Sequence, residues 1–405
     1  MTLPGCPVTF TDLAPDDVFG PLTRMDVDPL PWLAGHQEAG PVARLDLFGN
    51  PVWLVTRYAD VRAVLADTAA FSNDFAHLAA ADGDGDLGLS DPGGLGFRDA
   101  PDHTRLRRML APAFTARAIA ALEPKIQRVV EERLDALAAA GPGADLVTEF
   151  ADQVPALVIG ELLGVSRDEQ IDFAELAAGR FDVLQSIVAP LDSAAQSLAL
   201  LRDLVARERT NPGNGLLGHL VRTHGDTVDD EELAGLVDGL LVGGHETTAS
   251  MLALSVLLLL RDPDAAGRLR QDPTAVPGAV EELLRHLTVV QVAFPRFARN
   301  DLNLGGQRIS AGELVLCSLV AADRDPRWAG DLDNLSLGRP VRQHLAFGHG
   351  VHHCLGAPLA RLELQIALPA LLERFPYLQL AEPDWQPPFR QRSIVFGLES
   401  LPVRW

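Results

Sequence analysis

Apolar positions recur at helical spacing over most of the chain. From Thr115 onward, Ile119, Leu122, Ile126, Val129, Val130 and Leu134 fall three and four apart, one face of an amphipathic helix. Similar patterns predict helices over 143–164 and 169–208, and Pro212-Gly213-Asn214-Gly215 interrupts them. Asp229 or Asp230 then supplies an N-cap for a helix reaching Arg261, about 48 Å at 1.5 Å per residue. Shorter helices are expected from Asp60, over 275–287 and over 357–374, the last carried through Pro369. A period of two is confined to two places. Residues 42–58 alternate around a Gly49-Asn50-Pro51 turn, a hairpin pattern, and 296–320 alternate around Gly305-Gly306. Residues 323–353 are mostly irregular. Residues 72–98, rich in glycine and aspartate, have no period, and a loop that long is either a functional lid or a solvated insertion. The expected fold class is mainly α with a small β portion, in a single domain over 1–405.

Composition narrows the partners. With 34 basic and 55 acidic residues among 405, the net charge is −21, which repels a phosphate backbone and argues for no nucleic acid partner. Three cysteines (Cys6, Cys317, Cys354) are too few for a disulfide framework, and no basic start leads into an apolar leader; both favour a cytoplasmic protein. The longest uncharged apolar stretch, Thr247–Leu260, has 14 residues and follows Glu246. That is short for a bilayer span and suits a helix buried in a large core, so no membrane association is expected.

One run stands out chemically: Phe347-Gly-His-Gly-Val-His-His-Cys-Leu-Gly356, three glycines around one cysteine just before a predicted helix. Glycine lets the backbone turn left-handed and approach a flat ligand closely. Backbone N–H groups, with a helix N-terminus behind them, stabilise a thiolate. A thiolate shielded in this way suits an axial ligand to heme iron. Two alternatives stay open on these residues alone. One is a buried structural cysteine. The other is a zinc site from His349, His352, His353 and Cys354, although ligands so crowded in sequence do not easily converge tetrahedrally.

In the middle of the longest helix, LLVGGHETTAS sets Gly243-Gly244 before Glu246 and Thr247. Each glycine costs about 1 kcal/mol there against alanine, and the carboxylate and hydroxyl, set between apolar runs, need partners. The glycines either allow close helix packing or a kink, or leave room for a small molecule at a local bulge. Glu282 and Arg285 share a helix face, but an isolated pair of this kind is usually exposed and contributes at most about 0.5 kcal/mol. His103 and Arg107, four apart, also share a helix face and by themselves read as surface charge.

These runs together resemble the cytochrome P450 family. Its heme-binding signature matches Phe347-x-x-Gly350-x-His352-x-Cys354-x-Gly356, and the further matches lie in family order over roughly residues 50–400. The resemblance implies a P450-like fold with heme b (iron protoporphyrin IX) as cofactor. Cys354 is then the proximal thiolate and metal ligand, Gly348 and Gly356 belong to the heme loop, and His103, Arg107, Arg296 and His352 clamp the propionates through charge-assisted bonds. Glu282 and Arg285 become a buried structural pair bracing the irregular segment, costly to break. Glu246 and Thr247 become the catalytic acid–alcohol pair that delivers protons for O–O cleavage, with Gly243 in place of the commoner alanine. The peroxide-using branch lacks that pair, so electrons are expected from outside.

The implied pocket is lined by Gly243, Val289, Val290, Val292 and Phe294, with the 72–98 loop and the 165–200 region. Such a lining suits a hydrophobic small molecule bound mainly by apolar burial, whether free or held on a carrier protein. The implied function is a monooxygenase inserting one atom of O2 into a polyketide, terpenoid or peptide intermediate. Oxidative ring closure or aryl coupling is the alternative; a non-catalytic heme-based binder is a third, against which the Glu246–Thr247 pair counts. Ferredoxin and ferredoxin reductase are the implied electron donors, with Arg105, Arg107, Arg108 and Arg117 as a basic docking patch on an acidic monomer. One departure concerns DLDNLSLGRP at 331–340, which lacks the family's usual aromatic and puts local packing there in question.

Overall fold

Alternation in 42–58 produces the expected hairpin, β1 (Val42–Leu47) and β2 (Asn50–Val55), paired from Val42 opposite Val55 to Leu47 opposite Asn50. This computed structural model describes residues 17–47, 50–74, 94–166, 189–340, 342–383 and 385–405. Most of the glycine- and aspartate-rich loop, residues 167–188 of the expected pocket region, and Cys6 lie outside them. Helix α1 (Tyr58–Ala66) follows the hairpin, and Asp60 lies in its first turn, three residues inside the cap position expected for it, which Arg57 occupies. Strands β3 (Phe71–Ser72), β4 (Arg296–Ala298) and β5 (Leu314–Cys317) complete a sheet in the order β1-β2-β5-β4-β3. Only β2 and β5 run parallel; the other neighbours are antiparallel. Side chains alternate between its faces. Leu45, Val52 and Leu54 pack with Leu33 and Val320, whereas Trp53, Val55, Val315 and Cys317 pack with Val61, Val64 and Leu65 of α1. Gly305-Gly306 turns a separate two-stranded ribbon between β4 and β5.

The helical body comprises α2 (Asp102–Leu110), α3 (Glu123–Ala140), α4 (Gln153–Leu163), α5 (Ala189–Thr210), α6 (Asp230–Arg261), α7 (Val276–Leu287) and α8 (Ala357–Arg374). The helix expected from Thr115 is in fact two. Thr115 Oγ1 caps a short Ala116–Ala120 helix, and α3 then starts afresh with Pro124 in its first turn, where a missing N–H costs nothing. The helix expected over 143–164 likewise divides, into a π-turn at Val147–Ala151 and α4. Asp229 caps α6 by accepting from the Glu232 N–H at 2.8 Å.

Helix α6 packs against α4, α5, α7 and α8 and is buried on nearly every side from Leu252 to Leu259. Taken whole, it is long and apolar enough to cross a bilayer, but 78% of its apolar window is buried in the protein. That is the pattern of a core helix. Arg24 ties the segment before β1 into this body. Its fully buried guanidinium donates to the carbonyls of Val27, Leu287 and Thr288 and to Gln291 Oε1.

Helix α8 carries a polar group in the core. Glu363 is 3% exposed and its Oε2 has no hydrogen-bond partner. Burial pushes its carboxyl from 4.5 up to about 8, so it is neutral at pH 7. Because the folded value is raised, its contribution to stability is fully present below about pH 4.5, declines as the pH rises, and is lost through about pH 8. Glu363→Met should therefore raise the thermal midpoint more at pH 8 than at pH 5, with a difference on the order of 3 kcal/mol. Equal shifts at the two pH values would count against this account.

Candidate active site

The cysteine loop is shaped by its glycines. Gly348 and Gly350 have φ of +69° and +74°, and a Cβ at 350 would run into the Leu65 carbonyl at the end of α1. The turn brings the Cys354 N–H onto the Phe347 carbonyl at 2.9 Å. The Cys354 thiol is accessible although it lies deep in the molecule, so it faces an internal space. Burial raises its pKa, and the N–H groups of Gly356 and Ala357, followed by Arg107 and Arg361, act in the opposite direction. Arg361 stacks 4.5 Å above the Phe347 ring. Among the described residues no group of three or more His, Cys, Asp or Glu side chains converges on a point that could hold a metal ion, so the zinc alternative for His349, His352, His353 and Cys354 fails.

The two glycines of α6 do different things. A Cβ on Gly244 would press on Ile159 of α4 at 3.1 Å, which is close helix packing. Gly243 is exposed in the middle of the core helix, and a Cβ there would meet nothing within 4 Å. Gly239 and Gly243, exposed, and Thr247, half-covered, lie four apart and form one open stripe on a mostly buried helix. The helix is α-helical throughout, so the expected bulge is absent and the room comes from missing side chains. Thr247 Oγ1 donates to the Gly243 carbonyl at 2.6 Å. Glu246 is 4% exposed, and its Oε1 accepts from Arg390 Nη1 at 2.7 Å. Arg390 was not visible in the sequence as a site residue, because it lies 144 positions away on another segment.

Four basic side chains gather near the cysteine loop. His103 is buried with Nε2 unpartnered, its ring centroid 4.1 Å from that of His352. Arg107 Nη2 donates to the His353 carbonyl at 2.6 Å, and buried Arg296 donates to the Phe294 carbonyl at 2.8 Å. Burial, then His103 and Arg296, lower His352 to about 3, and burial with Arg107 lowers His103. Asp99 is the acid in range, but its oxygens already accept from Ser72, Asn73 and Arg299. Arg107 and Arg296 are bonded to carbonyls and not to a carboxylate, and with two neutral imidazoles beside them as donors they call for an anion. Two propionates beside a flat macrocycle, with a thiolate for its iron, answer that need, and heme fits these residues.

The expected brace is present and larger than expected. Arg285 binds Glu282 through two bonds of 2.8 and 2.9 Å, both side chains 3% exposed. Its third nitrogen donates to the carbonyls of Asp323 and Leu332. Glu282 also accepts from the Ser336 N–H and Arg339 Nε, both at 3.0 Å, and Arg339 reaches the Asp331 and Asn334 carbonyls. The segment 331–340 is thus held by Arg339 where an aromatic was missed.

The family profile described as Cytochrome P450 matches residues 33–208 and 206–404. The chain is a cytochrome P450. It is 43% identical over 404 residues to Cytochrome P450-SU2 of Streptomyces griseolus, covering 96% of this chain and 98% of the relative. The solved structure of StaH, a P450 from glycopeptide antibiotic A47934 biosynthesis, aligns with a TM-score of 0.84 at 43% identity, over 95% of this chain and 99% of that one. The mycinamicin VIII C21 methyl hydroxylase MycCI of Micromonospora griseorubida, bound to mycinamicin VIII, aligns at 0.88 with 35% identity, over 95% and 99%. This P450 is a heme–thiolate monooxygenase, an oxidoreductase that uses O2.

The expected pocket residues of the P450 divide. Val289 and Val292 are buried, Val289 within the helical core, and Val290 is partly covered and bridges to Val395. Phe294 is 47% exposed, its ring edge-on to Phe97 at 5.0 Å. Gly243 and Phe294 therefore present open surface, and the two buried valines hold the segment in place. The basic patch also shrinks: Arg105 is paired with Glu232 of α6 and Arg107 is turned inward, which leaves Arg108 and Arg117 exposed.

Removing one end of the buried brace leaves a desolvated charge. Arg285→Met should destabilise the P450 to denaturant by about 3–5 kcal/mol, whereas Arg339→Ala, which leaves the Glu282–Arg285 pair intact, should cost clearly less. Equal losses would contradict this ordering.

Proposed function

We propose that this P450 inserts one oxygen atom into a hydrophobic natural-product intermediate, with Glu246 and Thr247 as its proton-handling pair. The observation that carries the reading is the α6 stripe: Gly243 open, Thr247 half-covered beside it, and the Glu246 carboxylate buried behind. Cys354 would hold the heme iron, and His103, Arg107, Arg296 and His352 would hold the propionates. Bound heme supplies the oxygen-activating chemistry, in which two electrons and two protons turn one atom of O2 into water while the other enters the substrate.

Everything else falls to the chain. Gly243 leaves space that alanine would narrow. Thr247 can exchange its Gly243 carbonyl for a hydrogen bond into that space, and Glu246 passes it protons from the far side of the helix. Phe294 offers an aromatic wall to an apolar substrate. Kinship with the mycinamicin hydroxylase supports a large, mostly apolar natural product, free or carrier-bound. Ring closure or aryl coupling would use the same residues, and kinship with a glycopeptide-pathway P450 supports it. Product mass separates the two, a gain of one oxygen against a loss of two hydrogens. We place the protein in the cytoplasm, supplied with electrons by a ferredoxin and its reductase.

Titrating the heme spectrum with hydrophobic natural products should give a high-spin shift with one chemical class. Glu246→Gln and Thr247→Ala should preserve that shift while cutting product per NADH by roughly 10²-fold and releasing peroxide instead. Unaltered coupling in both variants would remove the pair from the mechanism.

Docking of an acidic ferredoxin rests on exposed charge. Arg108→Glu with Arg117→Glu should slow ferredoxin-dependent reduction and flatten its salt dependence. Exchanging the pair, Arg105→Glu with Glu232→Arg, should do neither, because the pair is neutral in either order. The opposite pattern would move the docking face elsewhere.

A further inference from the structure

Glu246 is gripped by a residue from a distant segment. Arg390 lies on a hairpin in which Phe389 bridges to Leu398 and the Arg390 N–H donates to the Gly397 carbonyl at 2.9 Å. Its Nη1 donates to Glu246 Oε1 and its Nη2 to Ser250 Oγ, each at 2.7 Å. Glu246 and Ser250 are one helical turn apart, so the planar fork of a guanidinium spans both where a lysine ammonium would meet one. Gly397 completes the arrangement. A Cβ there would collide with the Arg390 guanidinium and the Ser250 hydroxyl, so any other residue at 397 must displace the fork.

We propose that Arg390 is the positioning residue for Glu246: it keeps the buried carboxylate charged and aimed at the 389–398 hairpin, with Ser250 as second anchor and Gly397 as clearance. This rests on the proton-handling role given to Glu246 above. A carboxylate at 4% exposure without a cation beside it would take up a proton and turn.

A second carboxyl competes for the same cation. Asp152 stands at the start of α4, where burial raises it to about 6, with Arg390 acting to lower it and Asp145 to raise it further. On the α6 side, His245 is hydrogen-bonded to the Asp152 backbone and is lowered to about 4, chiefly by burial, so it is neutral near pH 6. The groups that face Arg390 are therefore Glu246 and His245 on α6 and Asp152 on the α4 side, with Asp145 behind. Below about pH 6 Asp152 is neutral and Arg390 belongs to Glu246; above it, Arg390 is shared and Glu246 is released more readily. Coupling of NADH to product should fall with pH through that value, as the grip that positions Glu246 loosens.

Infrared difference spectra of the holoenzyme, with 13C-labelled glutamate, read the claim without turnover. Arg390→Met at pH 7 should show a second neutral-carboxyl stretch, beside the one Glu363 gives in the wild type, and it should be abolished by adding Glu246→Gln. Gly397→Val, which keeps both Arg390 and Glu246 but displaces the fork, should show the same band. In turnover both variants should lose roughly tenfold in product per NADH with a larger solvent isotope effect, Arg390→Lys should recover part of it, and Asp152→Asn should flatten the pH dependence near 6. Absence of the band in both Arg390→Met and Gly397→Val, with coupling unchanged, would overturn the proposal. If Glu246→Gln alone leaves coupling intact, the proton-handling reading fails while the band still decides the role of Arg390.

Discussion

A thiolate in the interior of a protein is expensive, and much of this structure answers that cost. Burial alone drives the Cys354 thiol toward its neutral form. The chain opposes it with two backbone N–H groups at the start of α8 and with Arg107 and Arg361 nearby. None of these can act unless the loop keeps its shape. Gly348 and Gly350 supply left-handed turns, α1 provides the surface against which Gly350 lies, and the Glu282–Arg285–Arg339 cluster pins the irregular chain leading in. The brace is thus remote from Cys354 and acts only by holding the irregular chain that leads to the loop.

Interior cations recur, and each is treated differently. Arg24 spends its donors on carbonyls, Arg285 on a carboxylate and carbonyls, and Arg390 on a carboxylate and a hydroxyl. Arg107 and Arg296, beside the neutral imidazoles of His103 and His352, differ, because their partners are carbonyls that do not neutralise them and Asp99 is already engaged. On a molecule of net charge −21, that local excess of buried positive charge is a binding specification for an anion.

What the sequence disclosed follows from the range of each interaction. The cysteine loop, the cap of α6 and the hairpin at 42–55 are local, so spacing revealed them, whereas the burial of the Glu282–Arg285 pair was expected only from the family resemblance. Arg339 and Arg390 were missed because they lie in segments without regular structure, 57 and 144 positions from their helical partners Glu282 and Glu246. Gly243 and Gly244 read identically in sequence; only the neighbours, Ile159 for one and nothing for the other, tell packing from vacancy. The apolar run at 288–295 likewise gave no means to separate Phe294, which is open, from Val289 and Val292, which are core. The breaks within the predicted helices at 115–134 and 143–164 fell where a first-turn proline and a π-turn reset the backbone without disturbing the apolar period.

The uncovered stripe on α6 also has a meaning for how this enzyme could change. Alanine at Gly243 would meet no neighbour and would favour the helix by about 1 kcal/mol, so selection for stability alone would replace the glycine. The glycine in this chain gives up that stability and leaves open volume. Divergence toward smaller substrates is consequently downhill in folding free energy at this position, and divergence toward larger ones is not. Gly244, wedged on Ile159, allows neither.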